Sequence, residues 1–349
     1  MPLLARTIAT PVAIEVRSGA VSGLGPLLAD EGISSGGKVA IAVGHGRGDS
    51  IAEAIRDGLP DAAVFQIAGG SVDAALELMA QLRGDYYDAL VGIGGGRTLD
   101  AAKYAATMSG LPFVSVPTTL THDGIASPVA SLEAQGRKSS FGVHMPIAVF
   151  VDLDHVADAP VQHTRSGIGD VLSNLSALAD WELAREVRGE SVDGLAVSLA
   201  RSASESLLHS EWEGPGFLVS VAESLILSGI AMAVAGSSRP CSGACHEISH
   251  ALDVILEEPR LHGEQVALGA LFATWFRGDE RRVSELDAAF RRFGLPRLPA
   301  DLGISDDEFA EAILRGPSMR PGRFTILEHK VIEVDEVGPL IHEFRDALE

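Results

Sequence analysis

Cysteine and positive charge are both scarce in this chain of 349 residues. Only Cys241 and Cys245 occur, so no disulfide framework forms and we expect a reducing, cytoplasmic location. Without a second cysteine pair, thiolate ligation of a metal is also disfavoured. Lysine and arginine total 27 against 48 acidic residues, a net charge of −21. This charge argues against nucleic acid or an anionic membrane as partner, and an anionic small molecule would need local positive charge or a metal.

Targeting and membrane-spanning signals are also lacking. The start, Met1-Pro-Leu-Leu-Ala-Arg, has no basic segment followed by an apolar core, so we expect no secretory signal there. The most hydrophobic window, residues 217–236, is about long enough to cross a bilayer. It contains Glu223 together with serines and glycines. We therefore expect a buried domain helix and no membrane span.

Aromatic residues make up only 5% of the chain, and small aliphatic residues dominate, as is typical of helices packed closely on a parallel sheet. Residues 1–158 alternate short apolar runs with helical patterns. This alternation predicts a doubly wound, Rossmann-like α/β domain. Residues 159–349 show one long helical pattern after another, which predicts an all-helical domain.

Two further segments have patterns that are typical of strands. Residues 129–132 and 147–151 are apolar runs on either side of Gly136, and we expect them to pair as a hairpin. In the helical half, residues 323–327 form the clearest strand-like run.

A glycine-rich turn follows the predicted strand at residues 89–93. Gly94, Gly95 and Gly96 allow backbone N–H groups to approach a phosphate closely, and the next helix directs its positive end at the anion. The segment is not the G-x-G-x-x-G fingerprint. A tight structural turn explains it equally well.

A hydroxyl-rich segment, Pro117-Thr-Thr-Leu-Thr-His-Asp123-Gly-Ile-Ala-Ser127, follows the next predicted strand. Its threonines and serine are suited to ribose, phosphate or nicotinamide, and Asp123 to substrate hydroxyls. A helix cap and turn cluster is the alternative interpretation.

Three of the chain's eleven histidines lie close together, at His246, His250 and His262. The first two are four residues apart, so on a helix they share a face. Neutral imidazoles from two helices can converge on one divalent ion, with an oxygen ligand completing an open site. Asp170, near the start of the first helix of the second domain, is a candidate for that oxygen, although spacing alone cannot select it.

These motifs together resemble the sn-glycerol-1-phosphate dehydrogenases of the iron-containing alcohol dehydrogenase and dehydroquinate synthase superfamily. The resemblance rests on the triple glycine with Asp100 and Lys103, the Pro-Thr-Thr to Ser-Pro run, the helix bearing Asp170, and the Ser-Arg-Pro to His-Gly-Glu block. It covers most of the chain in the same order. It implies the dehydroquinate synthase-like fold, in which residues 1–158 bind the dinucleotide and residues 159–349 bind metal and substrate. It also implies a homo-oligomer and a place in phospholipid biosynthesis.

The resemblance also implies roles for individual residues. Asp170, His246 and His262 would bind one metal, usually zinc, although Fe²⁺ or Ni²⁺ also suits such ligands. Asp123 and His250 would act on the substrate as catalytic residues, with Asp170 shared between metal and substrate. The implied contacts with NAD or NADP are Gly94, Gly95, Gly96, Arg97, Thr98, Asp100, Thr118, Thr119, Leu120, Thr121 and Ser127. We add Arg239 as a candidate clamp for the substrate phosphate, with a surface or ion-paired arginine as the alternative.

The implied reaction is reduction of dihydroxyacetone phosphate to sn-glycerol 1-phosphate, with hydride passing from NADH or NADPH to a metal-polarised C2 carbonyl. A dehydrogenase of another small polyol or polyol phosphate stays open. So does a dehydroquinate synthase-like cyclase, since Lys138 and Gly142 are similar to a lysine-bearing hairpin of those enzymes. Against the cyclase, Asp170 and Ser173 stand where those enzymes have Glu and Lys. A binding protein without catalysis would have no reason to keep Asp170 and all three histidines.

The choice between the two cofactors is a separate question. No acidic residue directly follows the predicted strand at residues 38–43 to bind a ribose 2′-hydroxyl. His45 and Arg47 are placed to accept a 2′-phosphate, so we expect both NAD and NADP to be used.

Overall fold

The computed structural model describes residues 8–36, 38–212, 214, 216–258 and 260–349. The segment inspected for a targeting signal lies outside the described residues. The chain divides into two compact units. The first comprises the described residues up to Leu120 together with Gly124–Ala159, and the second comprises Thr121–Asp123 and Pro160–Glu349.

The first unit is built on a six-stranded sheet in which every described strand pair is parallel. Its strands are β1 (Ala13–Arg17), β2 (Ala40–Gly44), β3 (Ala63–Ile67), β4 (Leu90–Gly94), β5 (Phe113–Pro117) and β8 (Ala148–Asp152). Their order across the sheet is β1-β8-β5-β4-β2-β3. The four inner strands are buried along nearly their whole length, because Val, Ile, Ala and Phe side chains on both faces pack against neighbours.

An α-helix follows each of these strands except β5, so the predicted parallel α/β fold is confirmed. These helices are α1 (Leu24–Asp30), α2 (Arg47–Ala54), α3 (Val72–Leu82), α4 (Gly96–Ser109) and α5 (Leu153–Ala157). β2 is followed by β3 on one side, whereas β4 lies on the other side of β2 and leads on to β5. The strand order therefore reverses between β2 and β4, and such a reversal is where parallel sheets bind ligands beyond their carboxyl ends.

The predicted hairpin is only half correct. β6 (Val129–Ala134) turns at Gln135 and Gly136, both with positive φ, and pairs antiparallel with β7 (Arg137–Gly142). The apolar run predicted as the return strand is instead β8 of the main sheet. β7 is polar and largely exposed, so an apolar pattern could not reveal it.

Among the described residues after Asp152, regular secondary structure is entirely helical, as predicted for the second half. The helices of the second unit are α6 (Val161–Arg188), α7 (Gly194–Leu208), α8 (Phe217–Ala235), α9 (Ala244–Ile255), α10 (His262–Arg277), α11 (Glu280–Phe293), α12 (Asp306–Met319), α13 (Ile326–His329) and α14 (Val337–Asp346). The strand expected at residues 323–327 is wrong. The Thr325 side chain caps α13 there by accepting a hydrogen bond from Leu327 N, and capping residues start helices.

By length and composition α8 could cross a membrane, yet 61% of its most apolar window is buried inside the protein. It packs chiefly on α7 within the second unit. This burial agrees with the expected domain helix.

Candidate active site

Three helices of the second unit bring Asp170, His246 and His262 together. Asp170 lies on α6, His246 on α9, and His262 is the first residue of α10. One ligand atom from each lies within 4.8 Å of the other two. Asp170 Oδ1 is 3.8 Å from Nε2 of both histidines. Two ligand atoms about 2.1 Å from one tetrahedral ion lie about 3.4 Å apart, so these atoms could hold one ion after a small adjustment.

Glycines let the three helices approach closely enough for this arrangement. A Cβ atom added to Gly263 on α10 would collide with the carbonyl oxygen of Ser166 on α6. A Cβ atom on Gly269 would lie 2.8 Å from the carbonyl oxygen of Cys245 on α9. Any side chain at these positions would push α10 away from its neighbours and separate the ligands.

Asp170 is oriented by the segment that contains Asp123. The Asp123 N–H donates to Asp170 Oδ2 at 2.8 Å, leaving Oδ1 facing the two histidines. Burial and then the negative charge of Asp123 raise the pKa of Asp170 well above its usual range. A buried carboxyl group next to another carboxylate is short of positive charge, which a divalent ion would supply. The donor set therefore fits a metal.

His262 is held in one tautomer. Ser249 Oγ donates its proton to Gln265 Oε1 at 2.8 Å, so it can only accept from Nδ1 of His262, 3.2 Å away. The ring proton is then on Nδ1. The lone pair of Nε2 faces Asp170 and is available to a metal. In most metal sites, a hydrogen bond from the other ring nitrogen fixes the histidine tautomer in this way.

His246 is neutral for a different reason. Burial, followed by the neighbouring His262 and Arg320, lowers its pKa well below the usual value. Its Nδ1 lies 3.4 Å from the sulfur of Cys245, while Nε2 faces Asp170. Burial also raises the pKa of Cys245 to about 12, so this residue stays a thiol at neutral pH. The group of converging ligand atoms among the described residues includes neither cysteine.

His250 lies one helical turn beyond His246, and its ring centroid is 6.3 Å from that of His246 and 6.2 Å from that of His262. It is outside the group of three ligand atoms. Arg320 Nη2 lies 3.0 Å from His250 Nε2. Because arginine only donates, this nitrogen must be the unprotonated one, which makes His250 neutral with its proton on Nδ1.

Arg239 does not have the position we expected for a phosphate clamp. Its Nε donates to Glu190 Oε1 at 2.7 Å, its Nη2 pairs with Glu190 Oε2, and its Nη1 donates to the Phe324 carbonyl oxygen at 2.9 Å. The side chain is buried in this ion pair. The alternative interpretation, an ion-paired arginine, is therefore the one that its contacts support.

The glycine-rich turn lies where the strand order of the first unit reverses. Gly94 ends β4, Gly95 caps α4, and Gly96 begins it. A Cβ atom on Gly94 would lie 2.7 Å from Cβ of Thr98, so only glycine allows this close turn. Free N–H groups at the start of a 14-residue helix are suited to an anion such as a dinucleotide pyrophosphate.

The hydroxyl-rich segment divides between the two units. Thr118 and Leu120 are buried in the first unit, where the Thr118 N–H donates to the Gly94 carbonyl oxygen at 2.9 Å. Thr119 lies beside the same turn, since its Oγ1 is 3.4 Å from where a Cβ atom on Gly95 would stand. Thr121 belongs to the second unit and accepts a hydrogen bond from Ser166.

Asp100 and Ser127 have structural contacts within the first unit. Asp100 Oδ2 accepts from the Ser131 N–H at 3.1 Å, and Oδ1 lies 3.4 Å from Lys103 Nζ. Lys103 Nζ donates to the carbonyl oxygens of Gly124 and Ser127 at 2.7 and 3.1 Å. This fully buried lysine holds the loop before β6. Our expectation that Asp100 contacts the cofactor has no support from these contacts.

The two basic residues considered for other roles also have partners. Arg47 donates to the carbonyl oxygens of His155 and Asp158 at 2.7 and 2.8 Å, so a 2′-phosphate would compete with these bonds. Lys138 lies on the exposed strand β7, in register with Glu133 on β6.

Sequence reasoning missed several residues around the histidines. His122 packs edge-on against His262 with ring centroids 6.3 Å apart. Ser249 and Gln265 orient His262, and Arg320 contacts His250. The pair of arginines in Arg320-Pro-Gly-Arg323 was the one available signal, because positive charge is scarce in this chain.

Comparison with known proteins places the chain among the dehydrogenases. Residues 15–160 match the family described as iron-containing alcohol dehydrogenase. A glycerol-1-phosphate dehydrogenase (NAD(P)+) from Thermofilum pendens is 42% identical over 71% of this chain and 72% of its own length. The corresponding protein of Methanospirillum hungatei JF-1 is 39% identical over 69% of this chain and 68% of its own length.

Solved structures share the fold at lower identity. Glycerol dehydrogenase from Schizosaccharomyces pombe superposes with a TM-score of 0.76 at 22% identity, covering 99% of this chain and 91% of that one. Maleylacetate reductase from Agrobacterium tumefaciens has a TM-score of 0.74 at 17% identity and covers 99% of both chains. The predicted fold class is confirmed. With relatives near 40% identity over two thirds of their length, the chain belongs to the glycerol-1-phosphate dehydrogenase family of iron-containing alcohol dehydrogenases and is an oxidoreductase.

Proposed function

We propose that this enzyme reduces dihydroxyacetone phosphate to sn-glycerol 1-phosphate, using NADH or NADPH and one divalent metal, with zinc as the first candidate. The observation that carries the proposal is the convergence of Asp170, His246 and His262 in a family whose relatives are named glycerol-1-phosphate dehydrogenases. The free thiols of the two cysteines support a cytoplasmic location.

The three ligand side chains fit the charge that the reaction requires. His246 and His262 offer neutral nitrogens, and Asp170 contributes one negative charge. When bound, the metal supplies Lewis-acid polarisation of a carbonyl oxygen, and the reduced nicotinamide supplies hydride. A set with a single carboxylate leaves net positive charge on the ion. Asp170, His246 and His262 would thus hold a divalent ion without cancelling its charge, as Lewis-acid chemistry requires.

The neighbouring residues orient groups and hold protons. The backbone N–H of Asp123 orients Asp170. The carboxyl group of Asp123 is also close enough to affect the pKa of Asp170. His250 carries its proton on Nδ1 while Arg320 holds Nε2. We assign His250 as the residue that donates a hydrogen bond from Nδ1–H to the product oxygen or to the water beside it, and that water supplies the proton.

The helix α4 and the turn at Gly94–Gly96 would bind the pyrophosphate of the cofactor. Thr98, Thr118 and Thr119 lie beside this turn. Because Arg47 is already bonded to two carbonyl oxygens, we no longer expect it to determine use of NADPH.

A direct assay tests the proposal. The purified, zinc-loaded protein should oxidise NADH or NADPH when dihydroxyacetone phosphate is added, and the product should be the sn-1 stereoisomer. Chelation of the metal should abolish the reaction, and zinc should restore it. Oxidation of the cofactor by another small ketone but not by dihydroxyacetone phosphate would refute the proposed substrate.

A further inference from the structure

A second cationic group lies beside the metal ligands, and it is separate from Arg239. Arg320 directly follows α12, and Arg323 follows the Pro-Gly turn after it. Both guanidinium groups converge on one atom, Ser238 Oγ, at 3.0 Å from Arg320 Nη1 and 2.9 Å from Arg323 Nη2. We refer to Ser238, Arg320 and Arg323 as the arginine pair site.

The hydrogen-bond partners of these two arginines are neutral. Arg320 contacts Ser238 and neutral His250, and Arg323 contacts Ser238 and the carbonyl oxygen of Ser242. Within the described part of the chain, no carboxylate oxygen lies within 4.0 Å of either guanidinium group. Arg239, only one residue from Ser238, shows the contrast, because Glu190 neutralises it.

Two positive charges side by side are costly, and although the charge of Glu247 acts on both arginines, none of the described carboxylates forms an ion pair with either of them. The pKa of Arg323 is lowered to about 10, first by burial and then by the positive charges of Arg320 and Arg239. Burial also lowers the pKa of Arg320. Both side chains nevertheless remain partly exposed, so a ligand can reach them. An anion with several oxygens would accept from both forks and remove the repulsion.

The arginine pair site is also at the right place for part of a substrate. His250 touches Arg320 and lies next to the rings of His246 and His262. A small molecule with its carbonyl oxygen at the metal ligands would pass His250 and extend its far end towards the arginines. In a chain with a net charge of −21, this local positive charge offers what an anionic substrate needs.

We propose that Arg320 and Arg323, together with Ser238, bind the phosphoryl group of the substrate and thereby select a phosphate monoester over an unphosphorylated polyol or ketone. This inference rests on the proposed function, since it assumes that the oxidoreductase acts on a small phosphorylated carbonyl compound.

Arg323→Ala gives the cleaner test, because the hydrogen bonds described for Arg323 go to Ser238 and Ser242, whereas Arg320 contacts His250 directly. We expect KM for dihydroxyacetone phosphate and the inhibition constant of inorganic phosphate each to rise about tenfold or more. kcat/KM for unphosphorylated dihydroxyacetone should change less than about twofold, and metal content should be unchanged. Arg323→Lys keeps the positive charge but loses the forked pair of N–H donors, so its constants should lie between those of the wild type and those of Arg323→Ala.

Arg315→Ala is the matched control, since Arg315 lies on α12, is exposed and pairs with Glu311. It should leave every constant unchanged. Values for Arg323→Ala within twofold of the wild type would overturn the inference, provided that metal content shows the variant to be folded. If Arg323→Ala does not fold, Arg323→Lys and Ser238→Ala replace it. Their KM for dihydroxyacetone phosphate and inhibition constant for phosphate are then compared with those of the wild type.

Calorimetric titration with inorganic phosphate separates this inference from the proposed function. If the wild type fails to reduce dihydroxyacetone phosphate but binds phosphate, and Arg323→Ala loses that binding, the phosphate site stands and the substrate was wrongly chosen. Phosphate binding by the wild type that is equally strong in Arg323→Ala would refute the site.

Discussion

The backbone N–H of Asp123 donates to Oδ2 of Asp170 at 2.8 Å, and this single bond decides which oxygen of Asp170 faces the histidines. Oδ1 is left 3.8 Å from Nε2 of both His246 and His262. Asp123 thus affects the ligand group in two ways. Its N–H orients the carboxylate, and its negative charge adds to burial, the larger cause, in raising the pKa of Asp170. The same negative charge favours a bound cation.

The first prediction separates the metal ligands from their neighbour. His246→Ala should lose the metal, because it removes one of three ligand atoms. His250→Ala should keep the metal but lose most of its turnover, because His250 lies outside the ligand group. Metal analysis and kcat on the same preparations measure both effects. Equal loss of metal in the two variants would show that His250 has been assigned wrongly.

The residues of this site were not equally visible in the sequence. The spacing of His246 and His250 on one helix face follows from local periodicity, so their proximity could be predicted directly. Asp170 is one of 48 acidic residues, and only the resemblance to a known family selected it. Its position on α6 depends on contacts between helices far apart in sequence, such as those at Gly263.

The fold shows the same division between local and long-range information. Buried strands such as β5 were recognised because both of their faces are apolar. β7 was missed because it is polar and exposed. Arg239 was selected as a phosphate clamp because it stands in a small-residue turn, yet its partner Glu190 is distant in sequence. Arg323 was not selected, because the contact that it shares with Arg320, at Ser238, joins residues far apart in sequence and leaves no local pattern.

The second prediction concerns the hydrogen bonds behind His262. Ser249→Ala removes the acceptor of His262 Nδ1–H, so the ring is free to rotate and to change tautomer. We expect metal affinity to fall about 10- to 100-fold, the usual loss when an outer hydrogen-bond partner is removed. Competition with a chromogenic chelator measures this affinity without any assay of activity.

Ser228→Ala serves as the control for this experiment. Ser228 is a buried serine on α8 that accepts from Asn174 and donates to the Ser224 carbonyl oxygen. The variant loses comparable hydrogen bonds but should bind metal as tightly as the wild type. If both serine variants lose affinity to the same degree, the effect of Ser249 is one of general stability.

The third prediction concerns the turn between β4 and α4. Gly94→Ala places a methyl group 2.7 Å from Cβ of Thr98, so the start of α4 must shift. We expect the dissociation constant of NADH to rise at least about tenfold, since overpacking of this kind typically costs about 1–3 kcal/mol. Metal content should be unchanged. Quenching of protein fluorescence by NADH measures the binding.

Gly142→Ala is the control for the turn, because a Cβ atom there meets nothing within 4 Å and the backbone φ is not positive. This variant should bind NADH normally. Unaltered NADH binding by Gly94→Ala would mean that the glycine-rich turn is only a structural connection, which is the alternative that the sequence left open.

The fourth prediction links stability to the position of His246. Asp180 is fully buried on α6, where it accepts from the N–H groups of Ala244 and Ile326 at 2.8 and 2.9 Å and from Arg277 at 2.6 Å. It therefore anchors the first turn of α9, the helix that carries His246. Asp180→Asn keeps the shape but leaves Arg277 without its charge partner and offers one oxygen fewer.

Breaking a buried ion pair by removing one charge typically costs about 3–5 kcal/mol, and we expect the free energy of unfolding in urea to fall by that amount. Asp279→Asn is the matched comparison, since Asp279 caps α11 at an exposed position by accepting from Arg282 N at 3.0 Å. Asparagine caps helices about as well as aspartate, so this variant should differ from the wild type by less than about 0.5 kcal/mol. A loss that is equally small in both variants would show that Asp180 contributes no more than an ordinary helix cap, and α9 would then owe its position to packing alone.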